Sequence, residues 1–179
     1  MKVIGIIMKK QVLLKTLIAG DSGVGKTTLV HRYVKGEFID STTITIGVEF
    51  FLKEVEVNQK TNCHLQLWDI GGQERFRFMV KKYIPGARGA LLLFDTTNWK
   101  SFVNIDKWTQ LLRIYDKNLP ILLVATKYDL KDFSMVADYY GELKKKKLNM
   151  IDYVKTSSKT GLNVKDVFEI LAKHLIDER

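Results

Sequence analysis

The chain has 179 residues, with 29 Lys+Arg against 20 Asp+Glu for a net charge of +9, and 46% of its residues are hydrophobic. That length fits one domain with a real core, and the composition excludes a disordered or low-complexity chain. Cys63 is the only cysteine, which excludes an internal disulfide and fits a reducing, intracellular setting.

In chain order, Val3-Ile4-Gly5-Ile6-Ile7-Met8 between Lys2 and Lys9-Lys10 is too short for a signal peptide or a membrane span. Residues 1–10 are predicted as an N-terminal extension or extra edge strand ahead of a domain over residues 11–179. Lys2 in place of glycine argues against N-myristoylation. Residues 12–19 form an apolar run that predicts a buried strand, and residues 28–34 continue as a helix. Between them lies Gly20-Asp21-Ser22-Gly23-Val24-Gly25-Lys26-Thr27, which fits the phosphate-binding loop pattern in the strand–loop–helix setting that it requires. Glycines let backbone N–H groups converge on phosphate oxygens, and the helix start adds partial positive charge. Lys26 adds a full charge near the outer phosphates, and the Thr27 hydroxyl is placed to ligate Mg²⁺. Ser22, Gly23, Val24, Gly25, Lys26, Thr27 and Thr28 are therefore the expected phosphate-binding residues.

Residues 38–47 lack a period and read as a loop. Residues 48–57 and 63–68 alternate around the turn Asn58-Gln59-Lys60-Thr61-Asn62, predicting an antiparallel hairpin at the sheet edge. His64 reads as an outward-facing side chain. A second irregular, partly helical stretch covers residues 69–82. Ala90-Leu91-Leu92-Leu93-Phe94 and Ile121-Leu122-Leu123-Val124-Ala125 are short apolar runs of central strands. Ser101 is placed to cap a helix with Phe102, Ile105, Trp108, Leu111 and Leu112 on one face. Residues 135–145 read as helical, Tyr153-Val154 begins the last strand, and Val164, Val167, Phe168, Leu171 and Leu175 stripe a closing helix. The alternation predicts an α/β fold with a mostly parallel sheet, whose ligands sit beyond the carboxyl ends of the strands. Lys144-Lys145-Lys146-Lys147 reads either as a solvated helix end or as a weak contact for anionic membrane. No aromatic is interleaved with these lysines in sequence, which argues against nucleic acid.

Polar motifs follow the strands: Asp69-Ile70-Gly71-Gly72-Gln73-Glu74, Thr126-Lys127-Tyr128-Asp129 and Thr156-Ser157-Ser158-Lys159, with Thr45-Ile46-Gly47-Val48-Glu49-Phe50 before the hairpin. In this order, with the first loop, they resemble the five motifs of Ras-like small GTPases over nearly the whole chain beyond its first ten residues. The resemblance implies a three-layer P-loop NTPase fold with a six-stranded sheet, one antiparallel edge strand and about five flanking helices. It implies GTP and GDP as ligands, with Thr27, Thr45 and Asp69 serving Mg²⁺. It also implies that Gly72 meets the terminal phosphate by its N–H, and that Gln73 orients the attacking water. Asp129 would accept two N–H bonds from guanine, a donor pair that adenine lacks. Lys127 would pack along the base and brace the first loop, Phe38 would cover the base, and the Ser158 N–H, flanked by Ser157 and Lys159, would meet the guanine carbonyl.

Within the family the chain looks most like the Rab branch. Phe50, Trp68 and Tyr83 match the aromatic trio that Rab proteins present to effectors, or they form a satellite hydrophobic cluster. Thr126 stands where most of the family has Asn, as in Rac-type relatives, which implies retained guanine selectivity with weaker anchoring. Ile70-Gly71 replaces the Rab Thr-Ala and resembles Arf-type motifs, and successive glycines imply a more easily remodelled second switch. The end at Arg179 carries no prenylation cysteine. The expectation is a monomeric cytoplasmic switch, docked at a membrane through a partner where it acts there. Its switch loops lie near residues 38–48 and 69–83, and it hydrolyses GTP slowly. Rival readings are a GTP-binding scaffold with negligible hydrolysis and a P-loop ATPase or small-molecule kinase. Lys127 with Asp129 opposes the last.

Overall fold

The computed structural model of the chain describes residues 10–40, 44–58 and 61–177. The expected N-terminal extension lies outside these residues except for Lys10. Strands β1 (Lys10–Gly20), β2 (Val48–Asn58), β3 (Thr61–Ile70), β4 (Gly89–Asp95), β5 (Ile121–Thr126) and β6 (Tyr153–Lys155) form one sheet, ordered β2-β3-β1-β4-β5-β6. β1 pairs in parallel with both β3 and β4, and the parallel run continues through β5 to β6. β2 runs antiparallel to β3 at the edge, as the hairpin pattern implies. Strand order reverses at β1, so the crevice beyond its carboxyl end is the topological switch point where ligands collect.

Helices α1 (Lys26–Lys35), α2 (Arg77–Val80), α3 (Trp99–Val103), α4 (Ile105–Leu112), α5 (Asp138–Lys147) and α6 (Val164–Asp177) flank the sheet. α3 and α4 are two halves of one run, parted at Asn104. β4 and β5 are buried along their whole length, which is why their sequences are apolar without alternation. β1 alternates instead. Leu14 and Ile18 join Leu65, Leu29, Phe168 and Leu171 under α1 and α6. Leu17 and Ala19 join Leu92, Phe94, Phe102 and Trp108 on the other face. The two cores make three layers.

Among the boundaries that differ from the sequence pattern, two helix starts have a visible cause. The cap before α3 is Asn98, whose side chain accepts the Ser101 N–H at 3.3 Å, while the Ser101 hydroxyl donates back to the Asn98 carbonyl at 2.7 Å. Both residue types cap well, so the local sequence does not choose between them. α5 begins at Asp138 because Ser134 and Ala137 are extended and the Met135 N–H is drawn to the Thr96 carbonyl at 2.8 Å, off the helical path.

Gly141 sits inside α5, where alanine ordinarily gains about 1 kcal/mol by propensity. Here a Cβ would lie 2.3 to 2.7 Å from the Tyr153 ring, which is wedged beneath the helix. The clash outweighs the propensity, because a ring held in the core cannot swing aside. Gly141→Ala is expected to destabilise the chain by about 1–3 kcal/mol in urea unfolding. An unchanged or raised midpoint would contradict this packing.

Candidate nucleotide and metal site

β1 delivers the first loop to the switch point, and α1 opens directly from it at Gly25, whose φ of 92° is left-handed. Lys26, the first residue of α1, turns back beneath the loop. Its ammonium donates to the carbonyls of Gly20 at 3.0 Å and Asp21 at 2.8 Å and is buried. Burial draws its pKa down to about 8, against the opposing pull of Asp69 and Asp21.

The three residues expected to serve a metal meet one another. The Thr27 hydroxyl lies 2.8 Å from that of Thr45 and donates to Asp69 Oδ2 at 2.5 Å. Asp69 is buried one residue before the end of β3, and burial pushes its pKa up to about 6, against the Thr27 bond and Lys26. Its Oδ1 is buried and has no partner among the described residues. Two hydroxyls and a carboxylate with one orphaned oxygen form an all-oxygen set, the donor chemistry that a hard divalent cation takes. The residues fit Mg²⁺.

The two irregular segments converge on this point. The Gly71 N–H donates to the Gly47 carbonyl at 2.8 Å. A Cβ on Gly71 would lie 2.6 Å from the Thr45 carbonyl, and one on Gly72 would lie 2.4 Å from Asp21 and Gly20 backbone atoms and 2.5 Å from Lys26 Nζ. The paired glycines therefore permit close packing of the two segments on the first loop, besides the freedom read from sequence. Gln73 is not brought to the pocket. Its Oε1 accepts from Arg75 Nε at 2.8 Å on the exposed side.

Sequence reading missed the carboxylate that joins these parts. Asp21 Oδ1 accepts from Arg77 of α2 at 2.5 Å and from the Trp108 indole of α4 at 2.8 Å, while Oδ2 accepts from Asn104 at 2.6 Å. The Asp21 side chain is only 15% exposed. One signal was available: Trp108 lies on the apolar stripe, and a buried indole N–H ordinarily finds an acceptor.

A cavity of about 540 Å³ runs from the loop toward the ends of β5 and β6. Of the expected residues, Ser22, Gly23, Gly25, Lys26, Thr27, Thr28, Phe38, Thr45, Gly72, Thr126, Lys127, Asp129, Ser158 and Lys159 line it, and Asp40, Ile44 and Leu130 join them. Val24 and Ser157 stand behind the wall. The Val24 carbonyl accepts the Thr126 hydroxyl at 2.6 Å, and the Ser157 hydroxyl donates to Asp129 at 2.6 Å. The Lys127 ammonium pairs with Asp95 at 2.7 Å, so here it braces the end of β4 instead of the first loop. Outside the cavity, Trp68 and Tyr83 pack on the second core cluster, and Phe50, 53% exposed, meets Trp68 edge-on at 4.3 Å. The trio is thus partly a satellite of the core and partly open surface.

Comparison with known proteins accords with this geometry. A model of the Ras family matches residues 15–177. The chain is 40% identical to the Ras-related protein SEC4 of Saccharomyces cerevisiae, over 93% of this chain and 76% of the relative. It is 37% identical to the Ras-related protein RABF2a of Arabidopsis thaliana, over 93% and 82% respectively. It is 35% identical to the Ras-related protein Rab-3C of Bos taurus, over 93% and 73%. With its site, its sheet order and these relatives in accord, the chain belongs to the Ras family, as a small GTP-binding protein on the Rab side of it.

Proposed function

We propose that residues 11–179 form a magnesium-dependent guanine-nucleotide switch that hydrolyses GTP slowly to GDP. The observation that carries this reading is the meeting of Thr45 and Gly72, from two separate segments, against Thr27 and Lys26 of the first loop. A terminal phosphoryl group beside Lys26 would hold both segments, and its loss would release them. Residues 38–48 and 69–83 are the segments so governed. The nucleotide-binding roles are those assigned above to Ser22 through Thr28, Phe38, Thr126, Lys127, Asp129 and Ser157 through Lys159.

Thr27, Thr45 and Asp69 would hold the cation, which when bound supplies positive charge beside the phosphate oxygens. Gln73 would orient the attacking water as the terminal P–O bond breaks to leave GDP and inorganic phosphate. Lys26 would stabilise charge on the oxygens it faces. Effectors, exchange factors and GTPase-activating proteins would read the segments at Phe50, Trp68 and Tyr83, where exposed Phe50 on two half-buried rings suits a hot spot. By analogy with Rab relatives the setting is membrane trafficking, with the protein monomeric, cytoplasmic and peripheral at a membrane through a partner. No helix among the described residues is long and apolar enough to cross one.

A second reading, a GTP-holding scaffold with negligible hydrolysis, is favoured by one observation: Gln73 is tied to Arg75, turned from the cavity. Gln73→Leu separates the two. Under the first reading, single-turnover hydrolysis slows at least about tenfold, ~1.4 kcal/mol of barrier, with GTP affinity kept. An unchanged measurable rate removes Gln73 from the water-orienting role, and GTP left unhydrolysed for days by the parent chain supports the scaffold. For the base, Asp129→Asn is expected to move preference from guanine to xanthine nucleotides. Retained GTP preference in a competition assay removes Asp129 from that role.

The metal site carries a pH signature. The folded-state pKa of Asp69 near 6 exceeds the ordinary 3.8, so the folded chain holds an extra proton between those values. Without a cation, the stabilisation from protonated Asp69 is full below pH 3.8 and is lost as pH rises through about 6. A cation needs the deprotonated form. Mg²⁺ affinity, read from metal-dependent nucleotide release, is expected to fall about tenfold per pH unit below pH 6 and to level off above it. Constant affinity across that window excludes Asp69 as a ligand.

A further inference from the structure

Three exposed aromatics lie side by side, far in sequence from Phe50, Trp68 and Tyr83. Trp99 opens α3, and Tyr139 and Tyr140 lie in the first turn of α5. The Trp99 and Tyr140 rings meet edge-on at 5.8 Å, and the Tyr139 and Tyr140 rings lie 6.0 Å apart. Trp99 is 44% exposed, Tyr139 67%, and Leu143, one turn along α5 from Tyr139, 43%. The Met135 N–H bond to the Thr96 carbonyl brings a further exposed apolar side chain to the start of this ridge.

Charge on α5 and the α3–α4 run is sorted around that ridge. Their carboxylates are Asp106, Asp138 and Glu142. Asp106 pairs with Lys144 and Lys147, Asp138 with Lys155, and Glu142 with Lys145. The run of four lysines is therefore divided. Lys144 and Lys145 are drawn into internal pairs, whereas Lys146 and Lys147 are exposed at the carboxyl end of the ridge. Lys100 and Lys107 are exposed on the neighbouring α3–α4 run. With its own carboxylates paired, this face presents rings with polar tips, the exposed ammonium groups of Lys100, Lys107 and Lys146, and Lys147, which stays exposed beyond its 3.6 Å pairing with Asp106.

We propose that the α3–α5 face is a docking surface for an anionic lipid bilayer. Indole and phenol rings sit at the headgroup level because one part is apolar and the other wet, while lysine stems lie along apolar surface with their charges in the phosphate layer. The net charge of +9 adds long-range attraction to a negatively charged leaflet. An acidic protein groove would satisfy the lysines, but exposed amphipathic rings beside them, with polar tips on an apolar body, fit a headgroup layer better. One such surface gives weak, reversible and salt-sensitive binding. The face includes none of residues 38–48 or 69–83, so docking is the same with GDP and with GTP and does not depend on the switch reading.

Co-sedimentation of the chain with vesicles tests this. Binding is expected to vesicles of phosphatidylcholine with about 30% phosphatidylserine and not to phosphatidylcholine alone. The bound fraction should drop about fivefold between about 0.1 and 0.5 M salt. Tyr139→Ser/Leu143→Ser and, separately, Lys146→Glu/Lys147→Glu should each lower binding by about fivefold or more. All four side chains are exposed, and nucleotide affinity checks that each variant is folded. The control Lys165→Glu/Lys173→Glu on α6 should bind as the parent does. No binding to anionic vesicles overturns the proposal in favour of an acidic protein partner. Full binding by the Tyr139/Leu143 variant, or an equal loss in the α6 control, overturns it by reducing the effect to net charge.

Discussion

An ammonium group buried under the first loop is the constraint from which the rest of the site follows. Withdrawing a lysine from water costs several kcal/mol, and Lys26 meets that cost with the carbonyls of Gly20 and Asp21 and the fields of Asp69 and Asp21. Those partners leave the ammonium still short of full solvation, as its lowered pKa indicates. A polyanion at the loop would supply the rest. A Cβ on Gly72 would lie 2.4 Å from Gly20 and Asp21 backbone atoms and 2.5 Å from Lys26 Nζ, so the second segment packs here only through a residue without a side chain. The position of that segment and the solvation of one charge are thus the same question.

Asp21 extends this dependence across the molecule. Its main-chain carbonyl holds Lys26, and its side chain accepts from Arg77, Asn104 and Trp108. A buried carboxylate with three donors is well satisfied, and the Arg77 guanidinium, which also lies 5.0 Å over the Trp108 ring, gains its counter-charge in the same contact. Shifting α2 away from the loop would leave a buried anion and a buried cation short of partners. The second segment is therefore gripped at both ends, by Gly72 near the phosphate side and by Arg77 at the helix behind it, and both grips land on Gly20–Asp21.

What the sequence made legible was local. The loop is contiguous, so eight adjacent residues disclosed it, and β4 and β5 betrayed their burial through unbroken apolar runs. The carboxyl-end placement of Asp69, Thr126 and Ser157 followed from strand–loop alternation. The Asp21 network was not legible, because its members are 56, 83 and 87 residues apart and each has an ordinary local explanation. The start of α5 depended on a distant acceptor, the Thr96 carbonyl, which no propensity encodes. The four lysines read as one block, yet Asp106 and Asp152 from elsewhere in the fold, with Glu142 on α5 itself, take Lys144 and Lys145 inward. The partner of Gln73 was equally invisible, since an exposed amide has several neighbours of similar worth.

The far end of the cavity shows how neutral groups fix charged ones. The Thr126 hydroxyl lies 2.6 Å from the Val24 carbonyl and 3.0 Å from the Phe94 carbonyl, and a hydroxyl has one proton to share between them. It ties the end of β5 to the phosphate loop without a charge and without an amide group to offer a base. The Ser157 hydroxyl accepts the Thr160 N–H at 3.1 Å, which leaves its proton for Asp129 at 2.6 Å. Asp129 is thereby held from behind by a group that is itself held by the backbone. With Thr126 turned inward to the loop, the proposed discrimination of the base at this end would fall on the Asp129 carboxylate, which the Ser157 hydroxyl holds in place.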